Sequence, residues 1–193
     1  MTALKPALKE WAVAVEALAA GDTIVLLRKG GIREVGGQFT VPQRRVILYP
    51  TYEHQKPDLL KPDYAAAVEP VVSGWHPTTV PLQAWAEITD VLQTSQESSL
   101  AALQPFHIWQ PQFAAERFNW KPKQPLYILL LRVYRLPQIV EILYHPSYGG
   151  CRSWTELQTA IALDGSTPAL THEDYQQQRD RLVAISAAEP VIA

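Results

Sequence analysis

The sequence predicts an α+β fold, with a mainly antiparallel sheet or a small barrel and flanking helices. Three observations predict it. Strand-like runs cluster in DTIVLLRKGG, QFTVPQRRVILYP, LQAWAEITDVLQ and PLYILLLRVYRL. Helix-like stretches surround them without the regular alternation that a doubly wound parallel sheet requires. The run PLYILLLRVYRL is apolar at both parities, as in a strand covered on both faces.

Taken in order, Leu4, Leu8, Trp11, Val15 and Leu18 recur at steps of four and three. They predict one apolar stripe on an amphipathic helix, capped by Gly21. Thr23 to Arg28 reads as a strand. GGIREVGG must turn, and QFTVPQRRVILYP supplies a second strand that pairs back on the first as a hairpin. The proline-punctuated stretch from Lys56 to Pro81 reads as an irregular wrap. Leu82 to Gln93 is the next strand, with Leu82, Ala84, Ala86 and Ile88 on one face. SSLAALQPFHIW predicts a short helix stopped by Pro105, and QFAAERFNW a second one. Pro125 to Leu136 is the central strand. Arg132 lies in phase with Ile128 and Leu130, so its guanidinium needs an acid or backbone carbonyls if buried. Ser153 stands three residues before Glu156, a capping box that predicts a helix from Trp154. Thr171 and Asp174 repeat that logic for a last helix carrying Tyr175, Leu182 and Ile185. The expected organisation is one core domain over residues 1–162 and a C-terminal helix over 163–193 packed on it.

Composition narrows the function classes. The 193 residues are 47% hydrophobic and 19% charged, with a formal net charge of -2. That is a globular composition, and it argues against a bulk electrostatic grip on nucleic acid while leaving room for a local basic patch. No apolar run reaches the roughly 18 residues needed to cross a bilayer, so no membrane partner is expected. The N-terminal stretch, interrupted by Lys5, Lys9, Glu10 and Glu16, reads as a helix and not as a signal peptide. A single cysteine, Cys151, excludes an internal disulfide and a multi-cysteine zinc site, which suits a cytoplasmic location.

The most site-like stretch is LYPTYEHQK, Leu48 to Lys56. Tyr52, Glu53, His54, Gln55 and Lys56 offer a stacking ring, an acceptor, a switchable base, an amide and a cation in succession. Such a group at a strand end suits a pocket mouth; the plainer reading is a solvated strand end with Tyr49 and Tyr52 packed on the core. In the expected hairpin, Arg28, Lys29, Arg44 and Arg45 would gather near it and favour a phosphate or carboxylate. Tyr52 and His54 would face the ligand and Glu53 would hold a cation. A second cluster is YHPSYGGCRSW, from Tyr144 to Trp154. Its glycines and the expected helix start predict anion contact near Tyr148 and Arg152, with Cys151 poised as a nucleophile beside His145 or His54, or else a tight turn with a small buried thiol. His107, between Phe106 and Ile108, reads as a core histidine. No phosphate loop, dinucleotide fingerprint, nucleophile elbow or metal motif is present, and no cofactor is implied.

As an ordered set, ALKEWAVAVEAL, IVLLRKGGI, LYPTYEHQKP, PFHIW, ERFNWKPKQPLYILLLRVYRL and YGGCRSW resemble an uncharacterised, largely cyanobacterial family, the domain-of-unknown-function family numbered 1802. The resemblance covers about Leu8 to Leu157 and implies no established activity or catalytic residue. The order of elements is also similar to PUA-like barrels of the ASCH and EVE type, which bind RNA or modified bases; fold alone does not give function. Three function classes follow. The leading one is a binding module for a nucleotide, a nucleic-acid segment or another anionic ligand, contacted by Arg28, Lys29, Arg44, Arg45, Tyr52, Glu53, His54, Lys56, Tyr148 and Arg152. The second is an interaction or assembly protein that meets a protein partner through a Trp- and Pro-rich surface. The third is a hydrolytic or nuclease-like enzyme using Glu53 and His54 with Lys56.

Overall fold

Why the chain's first element is not a helix follows from Pro6. A proline in a helix interior removes a hydrogen bond and clashes with the preceding turn. In the computed structural model, which describes residues 2–29 and 40–187, strand β1 (Ala3–Trp11) occupies this stretch, and helix α1 (Ala12–Ala20) begins only afterwards. Pro6 sits where the pairing register shifts, a position that tolerates its missing donor. The expected helical stripe from Leu4 is thus corrected. The register shift between Leu4 and Pro6 also splits the expected stripe: Leu8 lies in one apolar cluster and Leu4 packs against another. Gly21 does cap α1: its φ is 87°, and its N–H donates to the carbonyls of Ala17 (3.1 Å) and Leu18 (3.2 Å). A Cβ there would stand 2.9 Å from Leu170 Cδ2, so only glycine fits.

Strands β2 (Val25–Arg28), β3 (Arg45–Thr51), β4 (Thr79–Thr94), β5 (Leu126–Leu143), β6 (Trp154–Ala162) and β7 (Thr167–Pro168) join β1 in one sheet. The order is β2-β5-β4-β3-β1-β6, with β7 on β5, and β1–β3 is the one parallel pair among the described residues. The fold is α+β with a mostly antiparallel open sheet, as the sequence predicts. The expected β2–β3 hairpin is absent: β2 pairs with β5 and β3 with β1 and β4. The GGIREVGG turn lies outside the described residues.

The sheet packs against two apolar clusters. Helices α1, α3 (Ser98–Leu103), α4 (Pro111–Asn119) and α5 (His172–Ala187) pack with β2 and the first half of β5 on one cluster; α2 (Pro62–Ala65) is a single turn in the irregular wrap. The second cluster holds Ala7, Ile47, Tyr49, Leu82, Leu136, Leu157 and Ile161, drawn from β1, β3, β4, β5 and β6. β3 serves both, with Val46 and Leu48 on one side and Ile47 and Tyr49 on the other. A bulge between Leu82 and Ala84 switches β4 from one cluster to the other, so the expected single face of Leu82, Ala84, Ala86 and Ile88 is split.

The SWTEL helix is also corrected: Trp154 to Ala162 form β6, antiparallel to β1. Leu157 and Ile161, four apart, share the buried face in the strand. Thr171 does start α5, its Oγ1 accepting the Asp174 N–H at 3.1 Å. Arg179 fastens α5 to β4 through two hydrogen bonds to Asp90, at 2.8 and 2.7 Å. Arg132 is satisfied as expected: Nη1 donates to the Thr171 carbonyl at 2.9 Å, and the guanidinium lies over the Tyr175 ring. No helix among the described residues is long and apolar enough to cross a membrane.

Candidate ligand-binding site

The expected site residues divide, and two residues read from sequence as mere polar interruptions organise the result. Lys9 and Glu10 are consecutive on β1, so strand alternation sends them to opposite faces. The Lys9 ammonium is held by the carbonyls of Tyr148 and Gly150. Burial lowers its pKa, and Arg152 nearby lowers it further, against Cys151 and Glu53. Glu10 Oε2 meets Arg28 Nη2 at 3.0 Å, Glu10 Oε1 accepts the Trp11 N–H at 2.8 Å, and Arg28 Nη2 also donates to the Lys9 carbonyl at 2.8 Å. Arg28 Nε has no partner among the described residues. Lys29 is buried beside it, donating to the Phe118 carbonyl at 2.7 Å with its ammonium over the Phe118 ring. Arg117 stands near: burial and the Arg28 charge lower its pKa, against Glu10.

β3 runs parallel to β1 and ends beside it, Trp11 opposite Thr51. Its exit therefore hangs over the same sheet end. Glu53 and His54 form a turn, with His54 at φ 67°, a left-handed conformation that histidine tolerates better than most residues. The expected period-two arrangement of Tyr52 to Gln55 does not apply in a turn. Glu53 is taken up by the Gly74 N–H (2.7 Å), Ser73 Oγ (3.2 Å) and His54 Nε2 (3.4 Å). The backbone bond from Gly74 is the main reason its pKa is lowered. Gln55 accepts the Val13 N–H at 3.1 Å and so caps the start of α1. Lys56 and His54 are exposed.

Aromatic rings line this end. Tyr52 meets exposed Trp75 edge-on with centroids 5.8 Å apart, and His76 stacks on Tyr144 at 3.6 Å. Tyr148 is buried against Tyr49, its Oη accepting the Gln158 N–H at 2.9 Å; it is a structural residue and not an open contact. Arg152 is exposed and donates to the carbonyls of Ser147 and Gly149. Cys151 is exposed too, but a strand follows it where a helix was expected, so the argument from a helix N-terminus lapses. Arg45 and Arg44 stand at the far end of β3; Arg45 lies over the Trp85 ring and Arg44 donates to the carbonyls of Ile88 and Thr89. They do not join Arg28. His107 is a core residue, 2% exposed, accepting the Trp109 N–H through Nδ1. Burial, then the Lys61 charge, lowers its pKa to about 4.

The structure thus sorts the expected residues onto two faces at the end of β1: Glu53, with His54 beside it, and Arg152 stand near Lys9, while Arg28 pairs with Glu10 on the other face. A family model for a domain of unknown function, DUF1802, matches residues 7–181. The chain belongs to the DUF1802 family. A comparison with curated proteins finds no match. Among solved structures, an ASCH protein from Zymomonas mobilis is similar at 13% identity and a TM-score of 0.46, with 93% of each chain covered. A point variant of the same protein gives 13% identity and 0.47, covering 94% of this chain and 95% of that one. No residue's role is carried over from either.

Proposed function

We propose that this DUF1802 chain is a binding module for an anionic ligand of nucleotide type, a nucleotide or a short single-stranded nucleic-acid segment, taken up at the end of β1 and β3. One observation carries the reading. Three cations, Lys9, Arg28 and Lys29, are buried at 9%, 8% and 5% exposure, and the one buried acid among the described residues, Glu10 at 7%, pairs with Arg28 and lies on the face of β1 opposite Lys9. Unbalanced charge in a low-dielectric interior is costly, and an anion at the sheet end would offset it. The exposed cations Lys56 and Arg152 at the rim would steer such an anion inward, and the exposed His54 ring offers it a hydrogen bond. The rings of Tyr52, Trp75 and Tyr144 favour a base over a bare phosphate, because any base offers a face to stack. Arg44, Arg45 and Tyr148 are outside this proposal. The cytoplasm is the proposed compartment. The Glu53–His54 pair does not favour the hydrolytic reading, since Glu53 is already committed to Gly74 and Ser73.

A thermal-shift screen of nucleotides and of short RNA and DNA oligomers tests the proposal, with His54→Ala, Tyr52→Ala and Arg152→Ala alongside. A ligand at a hundred times its Kd stabilises by about 2.7 kcal/mol. In a chain of this size that raises the midpoint by about 5–11 °C. The variants should lose most of that shift. No response in the wild type, or equal responses in all three variants, would end the nucleotide reading.

A further inference from the structure

A second surface adjoins the sheet end and shares Tyr144 and Tyr148 with it. Between β5 and β6 runs a groove of about 730 Å³. Residues 140–145 on one side and 158–162 on the other line it in unbroken succession. A strand's side chains alternate between faces, so consecutive lining residues mean that the strand's edge forms the wall. The pairings agree: among the described residues β6 pairs with β1 alone, and beyond residue 135 β5 pairs with β4 alone. Tyr148 bounds the groove and takes one β6 donor, the Gln158 N–H. The two edges therefore face each other without pairing.

We propose that this groove takes an extended segment of a partner protein, apolar at alternate positions and basic between them, which adds to the sheet as a strand. Backbone pairing with a free edge supplies affinity, and side-chain pockets supply the sequence preference. Val140, Ile142 and Ile161 offer the apolar floor, while Leu143 on the wall and Ile139 beside it are 73% and 61% exposed, unusually open for large apolar side chains on a sheet. Glu141 and Asp164 line the groove and, among the described residues, no Lys or Arg does, which complements a basic segment and disfavours a nucleic acid.

The probe is a fluorescein-labelled Val-Lys-Val-Lys-Val-Lys peptide, followed by fluorescence anisotropy on the full chain. Three comparisons read the mechanism: the same peptide with Glu for Lys, versions N-methylated at the valines or at the lysines, and the Ala160→Trp variant, whose new ring would fill the groove from β6. The proposal expects saturable binding that weakens at least about tenfold, or about 1.4 kcal/mol, with the Glu peptide, with one or both N-methylated versions and with Ala160→Trp. Unchanged thermal stability of Ala160→Trp separates a blocked groove from a damaged fold. If that variant is destabilised, the two peptide comparisons decide by themselves. Absence of binding, equal binding of the Glu peptide, or indifference to N-methylation at both sets of positions overturns the proposal. So does self-association of the chain that Ala160→Trp abolishes, because the occupant would then be a second copy.

Discussion

Removing Glu10 should strand Arg28 in the interior. The two side chains are 3.0 Å apart and only 6% and 9% exposed, so water cannot take over the lost interaction. The Trp11 N–H would lose its acceptor in the same step. Deleting one partner of a buried ion pair typically costs about 3–5 kcal/mol. For a chain of this length that lowers the melting midpoint by roughly 6–20 °C. Glu10→Ala tests this by urea unfolding, with Arg28→Met and the double variant completing a thermodynamic cycle. Arg28→Met leaves Glu10 a buried carboxylate with one N–H partner, so it too should destabilise. The double variant removes both charges of the pair and should be less destabilised than the sum of the singles, with a coupling of at least about 1 kcal/mol. Additive singles, or a Glu10→Ala cost under about 1 kcal/mol, would refute the buried-pair argument.

Three further outcomes follow from other parts of the molecule. Because the His107 pKa falls from 6.5 to about 4 on folding, its neutral form contributes stability that is complete above pH 6.5 and is lost as pH falls toward 4. Denaturant titrations should show about 3 kcal/mol lost across that window, and His107→Phe should flatten it; an unchanged slope would contradict the burial argument. Asp90 is held below its ordinary value: burial opposes ionisation, but the hydrogen bonds from Arg179 and Thr89 outweigh it. Its contribution should therefore be full above about pH 3.8 and vanish below, and Arg179→Met should remove it and loosen α5, read by hydrogen exchange in residues 172–187. Limited proteolysis should spare residues 23–154 if residues 1–162 form one core domain carrying the last helix; early cutting between Leu82 and Leu136 would contradict that.

Local signals were legible in the sequence, and distant pairings were not. The Gly21 cap, the Thr171 capping box, the central strand from Leu126 and the short helices before it all rest on neighbours within a few positions. β2 was legible as a strand, but its partner β5 lies about a hundred residues away, and a hairpin with β3 was the nearer guess. Lys9 and Glu10 were missed because a helix would have placed both toward water. The signal was Pro6: with the helix excluded, adjacent opposite charges in an apolar strand mark two faces that both need a partner. The SWTEL box misled because Ser-x-x-Glu is a weak pattern, and Leu157 and Ile161 satisfy either period. Tyr52 to Lys56 were rightly placed at a strand end, but the turn at Glu53 and His54 depends on Gly74, which no local pattern connects to them.

The most direct test of the binding claim uses the two ends of β3. β3 spans seven residues from Arg45 to Thr51, about 20 Å of strand, and the proposed site lies at the Thr51 end. A labelled oligouridylate titrated into the protein at low salt should bind and weaken with rising salt, as phosphate contacts require. His54→Ala and Arg152→Ala should each weaken it by about tenfold, and Arg45→Met should leave it unchanged. Loss of binding in Arg45→Met with no effect of His54→Ala or Arg152→Ala would contradict the account.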